Sequence, residues 1–295
     1  YTLNVFNKNK LISKEEVLIN NDIKNKEVDI VIITSKSYDL LKYVDFLITN
    51  NIRFKNLVLT QNGVGHEEEL VSFLENKWNI KFKNIYPLSI LTALKLENNN
   101  LHIYSNIQKS ELVLTSYNNT INKFSPEILT LRNLLNLKVN TNIYYGNYQD
   151  VKYSKLLLNL IMNIIPAYYN KTIEETYKDF QAILDEKNLI IEYTKIMEKM
   201  NLKFYKFKNY NTNLIAKLYK LLPPKIIYYL YNQKFVISKI RNNRIPSLVE
   251  DYVINPKLNT EIEYYLGNIL KKAQELKINL QDISTLSKIY EKLKK

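Results

Sequence analysis

Apolar positions change their period about half-way along the chain. Val28-Asp29-Ile30-Val31-Ile32-Ile33-Thr34 is a short apolar run rich in Val and Ile. Such a run predicts a strand buried on both faces of a parallel sheet. Tyr38–Asn50 carries Leu40, Leu41, Val44 and Leu47 at helical spacing, and Asn56–Thr60 predicts a second buried strand. That strand leads into Gln61-Asn62-Gly63-Val64-Gly65 and a helix over His66–Trp78. Strand, helix, strand, helix is the pattern of a doubly wound α/β fold. Ahead of it, Tyr1–Asn20 predicts two short extended pieces around Asn7-Lys8-Asn9-Lys10. Shorter signals follow: strands at Leu101–Tyr104, Glu111–Thr115 and Asn142–Tyr145, and a helix over Pro126–Leu137. The asparagines at Asn98–Asn100 and Asn118–Asn119 predict loops. From Lys152 to Lys294 helical spacing dominates, broken at Pro166, Pro223-Pro224 and Pro246. The reading is an α/β half followed by an all-helical half, with the boundary near Asn147–Asp150.

Composition narrows the chemistry. None of the 295 residues is cysteine, which excludes a disulfide scaffold, a thiolate metal site and a cysteine nucleophile. Only His66 and His102 are available for a Ser-His-Asp triad or a histidine zinc site, and neither has suitable neighbours in sequence. The longest apolar run, Leu156–Ile165, is interrupted by Asn159 and Asn163 and is too short to span a bilayer. No signal peptide is visible, so the expected location is cytoplasmic, with no membrane partner. The net charge of +13 points toward polyanions or phosphate-bearing ligands. The lysines are scattered, however, and no nucleic-acid motif is present, so diffuse surface charge without a nucleic-acid partner is the expectation.

Three segments could carry chemistry. The Gln61–Gly65 turn holds two of the four glycines and follows a strand. In open α/β sheets ligands bind beyond the carboxyl ends of strands, although an ordinary strand-to-helix turn would also use Asn-Gly. Lys155, Asn159 and Asn163 recur every four residues among Leu156, Leu157, Leu158, Leu160, Ile161, Met162, Ile164 and Ile165. On a helix they form one narrow polar stripe, either a wet edge or the lining of a polar pocket. The third segment joins Ser247-Leu248-Val249-Glu250-Asp251 to Asn259-Thr260-Glu261-Ile262-Glu263-Tyr264. There Asn259 or Thr260 could cap a helix whose first turn holds Glu261 and Glu263.

Together these segments resemble the ketopantoate reductases, or 2-dehydropantoate 2-reductases. The matching pieces are Ile32-Ile33-Thr34-Ser35-Lys36, the Gln61–Gly65 turn with Glu67-Glu68-Glu69, Lys155-Leu156 with Asn159 and Asn163, and Ser247 to Asp251 with Thr260 to Tyr264. The resemblance runs from about Val28 to the C-terminus, with no motif between Thr172 and Asn242. It implies an α/β dinucleotide-binding (Rossmann-like) domain over 1–148 and an all-helical C-terminal substrate and catalytic domain over 149–295. It implies NADPH-dependent reduction of 2-dehydropantoate in pantothenate and coenzyme A synthesis, with NAD as the other candidate cofactor. Lys155 resembles the catalytic proton donor. Asn62, Asn159, Asn163 and Ser247 match substrate-binding positions, and Lys36, Asn62 and Glu261 match cofactor-binding positions. No metal is implied. The partners implied are a small 2-oxoacid and a nicotinamide dinucleotide, and a homodimer is allowed without a sequence signal for it.

Two departures stand out. The family's Gly-x-Gly-x-x-Gly turn is not in this sequence, and Tyr1 aligns well inside the usual first domain. The expectation is an N-terminally truncated domain lacking on the order of 40 residues, the size of such a unit, with weak cofactor affinity as the consequence. Before Ser247, where the family often has an asparagine, Asn242-Asn243-Arg244 lies in uncertain register. A related 2-oxoacid reductase and a non-catalytic binding protein are therefore the alternative functions.

Overall fold

A computed structural model describes residues 2–7, 10–17, 24–92, 94–104, 110–118, 124–233, 245–254 and 260–294. The chain divides into two compact units. The first comprises Tyr1–Gln61, Glu67–Val151 and Phe207–Asn209, and the second Asn62–His66, Lys152–Lys206 and Tyr210–Lys295.

In the first unit, β1 (Thr2–Asn7) and β2 (Lys10–Glu16) form an antiparallel hairpin. Next come β3 (Glu27–Ile33), α1 (Leu40–Thr49), β4 (Arg53–Leu59), α2 (His66–Trp78), β5 (Ile85–Ile90), β6 (Leu94–Glu97), β7 (Asn100–Ile103), β8 (Glu111–Leu114), α3 (Pro126–Asn136) and β9 (Asn140–Ile143). The strands build two sheets. One has the order β2-β1-β7-β6 and the other β3-β4-β5-β8-β9. In the larger sheet β3, β4 and β5 are parallel, β8 runs antiparallel to β5, and β9 is parallel to β8.

Alternation along β4 builds two cores. Leu57 and Leu59 pack on one face with Leu40 and Val44 of α1 and Leu70 and Leu74 of α2. Val58 packs on the other face with Tyr86, Leu114 and Ile128 of α3. Side chains two residues apart share a face, so one strand serves both layers.

The run Val28–Thr34 differs from expectation in its burial. It forms β3, but β3 is an edge strand, and Val28 and Ile32 are 37% and 43% exposed. A continuous apolar run therefore marked the strand but not its place in the sheet. The last strand lies at Asn140–Ile143, two residues before the expected Asn142–Tyr145. β5 escaped the sequence reading because Pro87 sits inside it, and proline lowers the strand signal. Pro87 nevertheless pairs with Leu59, and its carbonyl accepts from the Thr115 amide at 2.9 Å.

In the second unit the leading helix α4 (Tyr148–Asn159) runs through a π-helical stretch, Leu160–Ile164, into α5 (Ile165–Tyr169). Then come α6 (Ile173–Tyr177), α7 (Phe180–Lys199), the two-residue strands β10 (Lys206–Phe207) and β11 (Tyr210–Asn211), α8 (Thr212–Leu221) and α9 (Pro224–Tyr231). A short α10 (Ser247–Val249), α11 (Asn268–Glu275) and α12 (Ser284–Leu293) complete it. The unit is helical apart from the tiny β10-β11 pair.

The centre is α7, which buries Ala182, Ile183, Leu189, Ile190, Tyr193, Ile196 and Met197. From it the Tyr193 hydroxyl donates to the Tyr153 carbonyl at 2.7 Å. The neighbouring Ser154 hydroxyl oxygen accepts from the Tyr205 amide at 2.7 Å. These two bonds hold α4 on both residues that precede Lys155. Glu192 of α7 reaches the start of α12, where its two carboxylate oxygens accept from the amides of Thr285 at 3.0 Å and Leu286 at 2.7 Å. Those amides are first-turn donors with no carbonyl of their own helix to meet.

Glu192→Ala should therefore lower stability by about 1–3 kcal/mol, since it strands two partly buried amides. Denaturant unfolding measures it, and an unchanged midpoint would show that α12 needs no such cap.

Candidate functional site

The Lys155 side chain is 8% exposed, and it shares α4 with Lys152, 5% exposed and one turn earlier. Residues three apart lie on one helix face. The Lys152 Nζ is 2.7 Å from Nε2 of His66, which is fully buried. An ammonium has only N–H groups to give, so Nε2 accepts and the ring carries its proton on Nδ1. Burial pushes the Lys155 ammonium down to about 7, with the Lys152 charge adding to the fall. Glu261, itself buried at 4% exposure, opposes it by favouring the charged form.

Below Lys155 the stripe continues as expected from its spacing. Asn163 Nδ2 donates to Asn159 Oδ1 at 3.1 Å. Asn159 Nδ2 is buried and has no hydrogen-bond partner among the described residues. A buried unsatisfied donor costs about 1–3 kcal/mol, so the arrangement favours any acceptor that reaches it. Ser247 opens α10, which packs on the π-helical stretch that contains Asn163.

Glu261 is not a solvent-side helix-capping residue. It lies just before a π-helical stretch, Glu263–Gly267, and its carbonyl accepts from the amides of Tyr264 at 3.0 Å and Tyr265 at 3.1 Å. Its buried carboxylate, with that of Asp251, pushes the Tyr265 phenol well above its usual range, after burial as the largest cause. The Asn62 side chain hydrogen-bonds the same phenol and pulls the other way. Glu261 thus acts on both Lys155 and Tyr265, and Asn62 joins the same cluster. Asn259 and Asn242-Asn243-Arg244 lie outside the described residues.

The turn glycines have a local reason. Gly63 and Gly65 have φ of +86° and +93°. A Cβ at Gly63 would meet the Tyr264 carbonyl, and one at Gly65 the Asn268 side chain. In the space left, the Val64 amide donates to the Tyr264 carbonyl at 2.9 Å, and Asn268 Nδ2 donates to the Val64 carbonyl at 2.7 Å. The glycines serve this clasp, since Tyr264 and Asn268 fill the places where their side chains would stand. Gln61 is likewise structural: its Nε2 donates to the carbonyls of Ile33 and Ser35, both at 3.1 Å.

Lys36 belongs to the first unit, three residues beyond β3, where it precedes a single 3-10 turn, Ser37–Asp39. The other candidates, Asn62, Lys155, Asn159, Asn163, Ser247 and Glu261, all belong to the second unit. Three π-helical stretches among the described residues, Leu160–Ile164, Glu250–Ile254 and Glu263–Gly267, fall at the three late candidate segments. Such widened turns gather at functional sites because they re-aim side chains within a helix. Sequence reasoning missed Lys152, His66 and Tyr265. Lys152 could have been found by extending the stripe one turn backward. Nothing local announced that His66 would meet it. Among the described residues no cluster of three His, Asp or Glu side chains could hold a metal ion.

Two family models match this chain. One, for ketopantoate reductase PanE/ApbA, covers residues 3–115, and the other, for the ketopantoate reductase PanE/ApbA C terminal, covers residues 147–295. The chain belongs to the ketopantoate reductase family. Among solved structures it is similar to the 2-dehydropantoate 2-reductase from Geobacter metallireducens GS-15, with a TM-score of 0.70 and 13% identity. That match covers 98% of this chain and 85% of the other. It is similar to the dimeric ketopantoate reductase from Staphylococcus aureus, with a TM-score of 0.68, 17% identity, and 100% and 86% of the two chains covered. It is also similar to D-mandelate dehydrogenase in complex with NADH, with a TM-score of 0.65, 17% identity, and 90% and 78% covered. At these identities the likenesses show the fold: a Rossmann-like domain followed by a helical one. No curated protein matches the chain.

The charge state of Lys155 has a stability consequence. Between pH about 7 and 10.5 the unfolded lysine holds a proton that the folded one has released. Stability therefore rises with pH across that window, and the cost of burying the ammonium is fully present below it. Lys155→Met removes the cost. Its melting temperature should exceed the parent's by at least about 2–4 °C near pH 6, the shift that about 1 kcal/mol gives in a domain of this size. The gain should vanish near pH 10.5. A gain independent of pH would mean that packing alone, and not the buried charge, sets the difference.

Proposed function

We propose that this protein reduces 2-dehydropantoate to pantoate with NADPH, in pantothenate and coenzyme A synthesis, in the cytoplasm. The observation that carries the reading is Lys155: a buried amine poised near neutral pH, beside a carboxylate and above an unpartnered amide donor. On this proposal residues 1–148 form the NAD(P)-binding domain and 149–295 the substrate and catalytic domain.

The reaction adds a hydride to the ketone carbon and a proton to its oxygen. The bound nicotinamide would supply the hydride. Lys36, a cation beyond the carboxyl end of a parallel strand, suits a dinucleotide by its charge and place. Asn62 and Glu261 would complete the contacts at the nicotinamide end. The pyrophosphate finds no cradle at Gly63 and Gly65, whose open sides are filled by Tyr264 and Asn268.

Lys155 Nζ holds the proton that the developing alkoxide takes. Glu261 helps keep that nitrogen protonated at neutral pH, while burial and Lys152 keep it acidic enough to give the proton up. Asn159 Nδ2 donates to the substrate, with Asn163 fixing its amide through the 3.1 Å bond to Oδ1. Ser247 and Asn62 add neutral hydrogen bonds that orient the ketoacid without introducing another titrating group.

A second reading is a related 2-oxoacid reductase with the same catalytic set. The likeness to D-mandelate dehydrogenase, whose ternary complex holds NADH and anilino(oxo)acetate, favours it. Initial rates of the protein with 2-dehydropantoate and with phenylglyoxylate, each with NADPH and NADH, separate the two.

Lys155→Ala should lower kcat at least about 10²-fold, the usual contribution of a general acid. The parent's rate should fall as pH rises through about 7, because the acid form of Lys155 is lost there. Unchanged kcat at saturating substrate would remove the proton-donor role.

Glu261→Gln tests the neighbouring carboxylate. Gln keeps the shape and loses the charge, so turnover or cofactor affinity should drop and the fall of the rate with rising pH should move to lower pH. Native kinetics with a lower melting temperature would make Glu261 a helix-end residue only.

A further inference from the structure

Lys155 is one of two lysines buried on the same face of α4, three residues apart. They are not equivalent. Lys152 is anchored, with Nζ 2.7 Å from the His66 ring nitrogen. His66 closes the segment Asn62–His66, which belongs to the same compact unit as Lys152. Lys155 has no hydrogen-bond partner among the described residues, and the charged groups that act on it are Lys152 and Glu261. A fixed cation therefore stands beside a second amine that is free to react. An amine desolvated next to another cationic group is an activated nucleophile toward carbonyl carbon.

We propose that Lys155 forms an imine with small 2-oxoacids, and that the Lys152–His66 pair is the positioning device that keeps it nucleophilic. The proposal takes its substrate class from the reductase reading, but it needs no nicotinamide. The Nζ lone pair forms a bond to the 2-carbon, and one amine proton moves to the former carbonyl oxygen, giving a carbinolamine. The C–O bond then breaks, the second amine proton leaves with the hydroxyl as water, and an Nζ=C2 double bond remains. Asn159 Nδ2, buried and without a hydrogen-bond partner among the described residues, lies one helical turn beyond Lys155, where it can receive an acceptor oxygen of the bound acid. Glu261 opposes the effect of Lys152 by favouring the ammonium, so the site holds both forms of Lys155 at neutral pH. The acid form suits proton donation and the amine form suits imine formation. The two activities consequently run on opposite limbs of one titration.

The test uses this chain with pyruvate and cyanoborohydride, without nicotinamide, followed by peptide mass mapping. Hydride from the cyanoborohydride reduces the imine to a stable secondary amine. At pH about 7.5 Lys155 should be modified on the order of 10²–10³ times faster than exposed lysines, whose amine fraction is about a thousandth there. Its rate should rise with pH and level off above about 7. Lys155→Met should abolish the fast modification. Lys152→Met should move the half-maximal pH upward by about one unit or more, because a neighbouring like charge is gone. Lys152→Gln gives the same comparison if the methionine variant does not fold. Labelling of Lys155 no faster than that of surface lysines would overturn the imine. Fast labelling whose pH dependence ignores both Lys152 variants would overturn the role of the pair. Failed reductase turnover with fast labelling would count against the reductase reading alone.

Discussion

The organising constraint in the second unit is the burial of α4. A helix that is apolar nearly all round has to lie inside the protein, and Leu156, Leu157, Leu160, Ile161, Ile164 and Ile165 put this one there. Its polar residues go in with it. Lys152 meets His66, Ser154 meets the Tyr205 amide, Asn159 and Asn163 meet each other, and Lys155 is left beside Glu261. The heightened acidity of the Lys155 ammonium is thus a consequence of hydrophobic packing. Any change that let water into this helix would return the lysine toward its ordinary range.

The Gln61–Gly65 turn shows how the same residues can be structural and still shape a site. Positive φ at Gly63 and Gly65 lets Val64 clasp Tyr264 and Asn268 through two backbone-directed bonds. The clasp fixes the segment that begins at Glu261, so it sets where the buried carboxylate stands relative to Lys155. Asn62, within the turn, reaches the Tyr265 phenol on the same segment. Glycine at these positions acts on chemistry through geometry, at one remove from any ligand.

Much of this was legible in the sequence because it is periodic. The four-residue spacing of Lys155, Asn159 and Asn163 puts the two asparagines in hydrogen-bond contact, Asn163 Nδ2 to Asn159 Oδ1. The Val- and Ile-rich runs became β3 and β4. What periodicity could not carry was context. The same apolar run suits a central strand or an edge strand, and only pairing decides, so β3 was placed too deep. Pro87 hid β5 because a local rule was outweighed by tertiary pairing. The Lys152–His66 contact joins residues 86 positions apart, and no local pattern encodes such a distance.

Burying two lysines on adjacent turns opposes folding, and the surrounding structure shows how the opposition is divided. Lys152 keeps a hydrogen-bond partner inside the core, the His66 ring nitrogen at 2.7 Å. Among the described residues Lys155 receives no such bond, and the charge that opposes its deprotonation is the Glu261 carboxylate. If stability alone had shaped α4, a methionine or leucine at position 155 would serve better, since a desolvated ammonium costs more than an apolar side chain of similar volume. Position 155 thus carries a residue that stability alone would not select, in the company of a buried carboxylate and of an amide donor with no partner among the described residues.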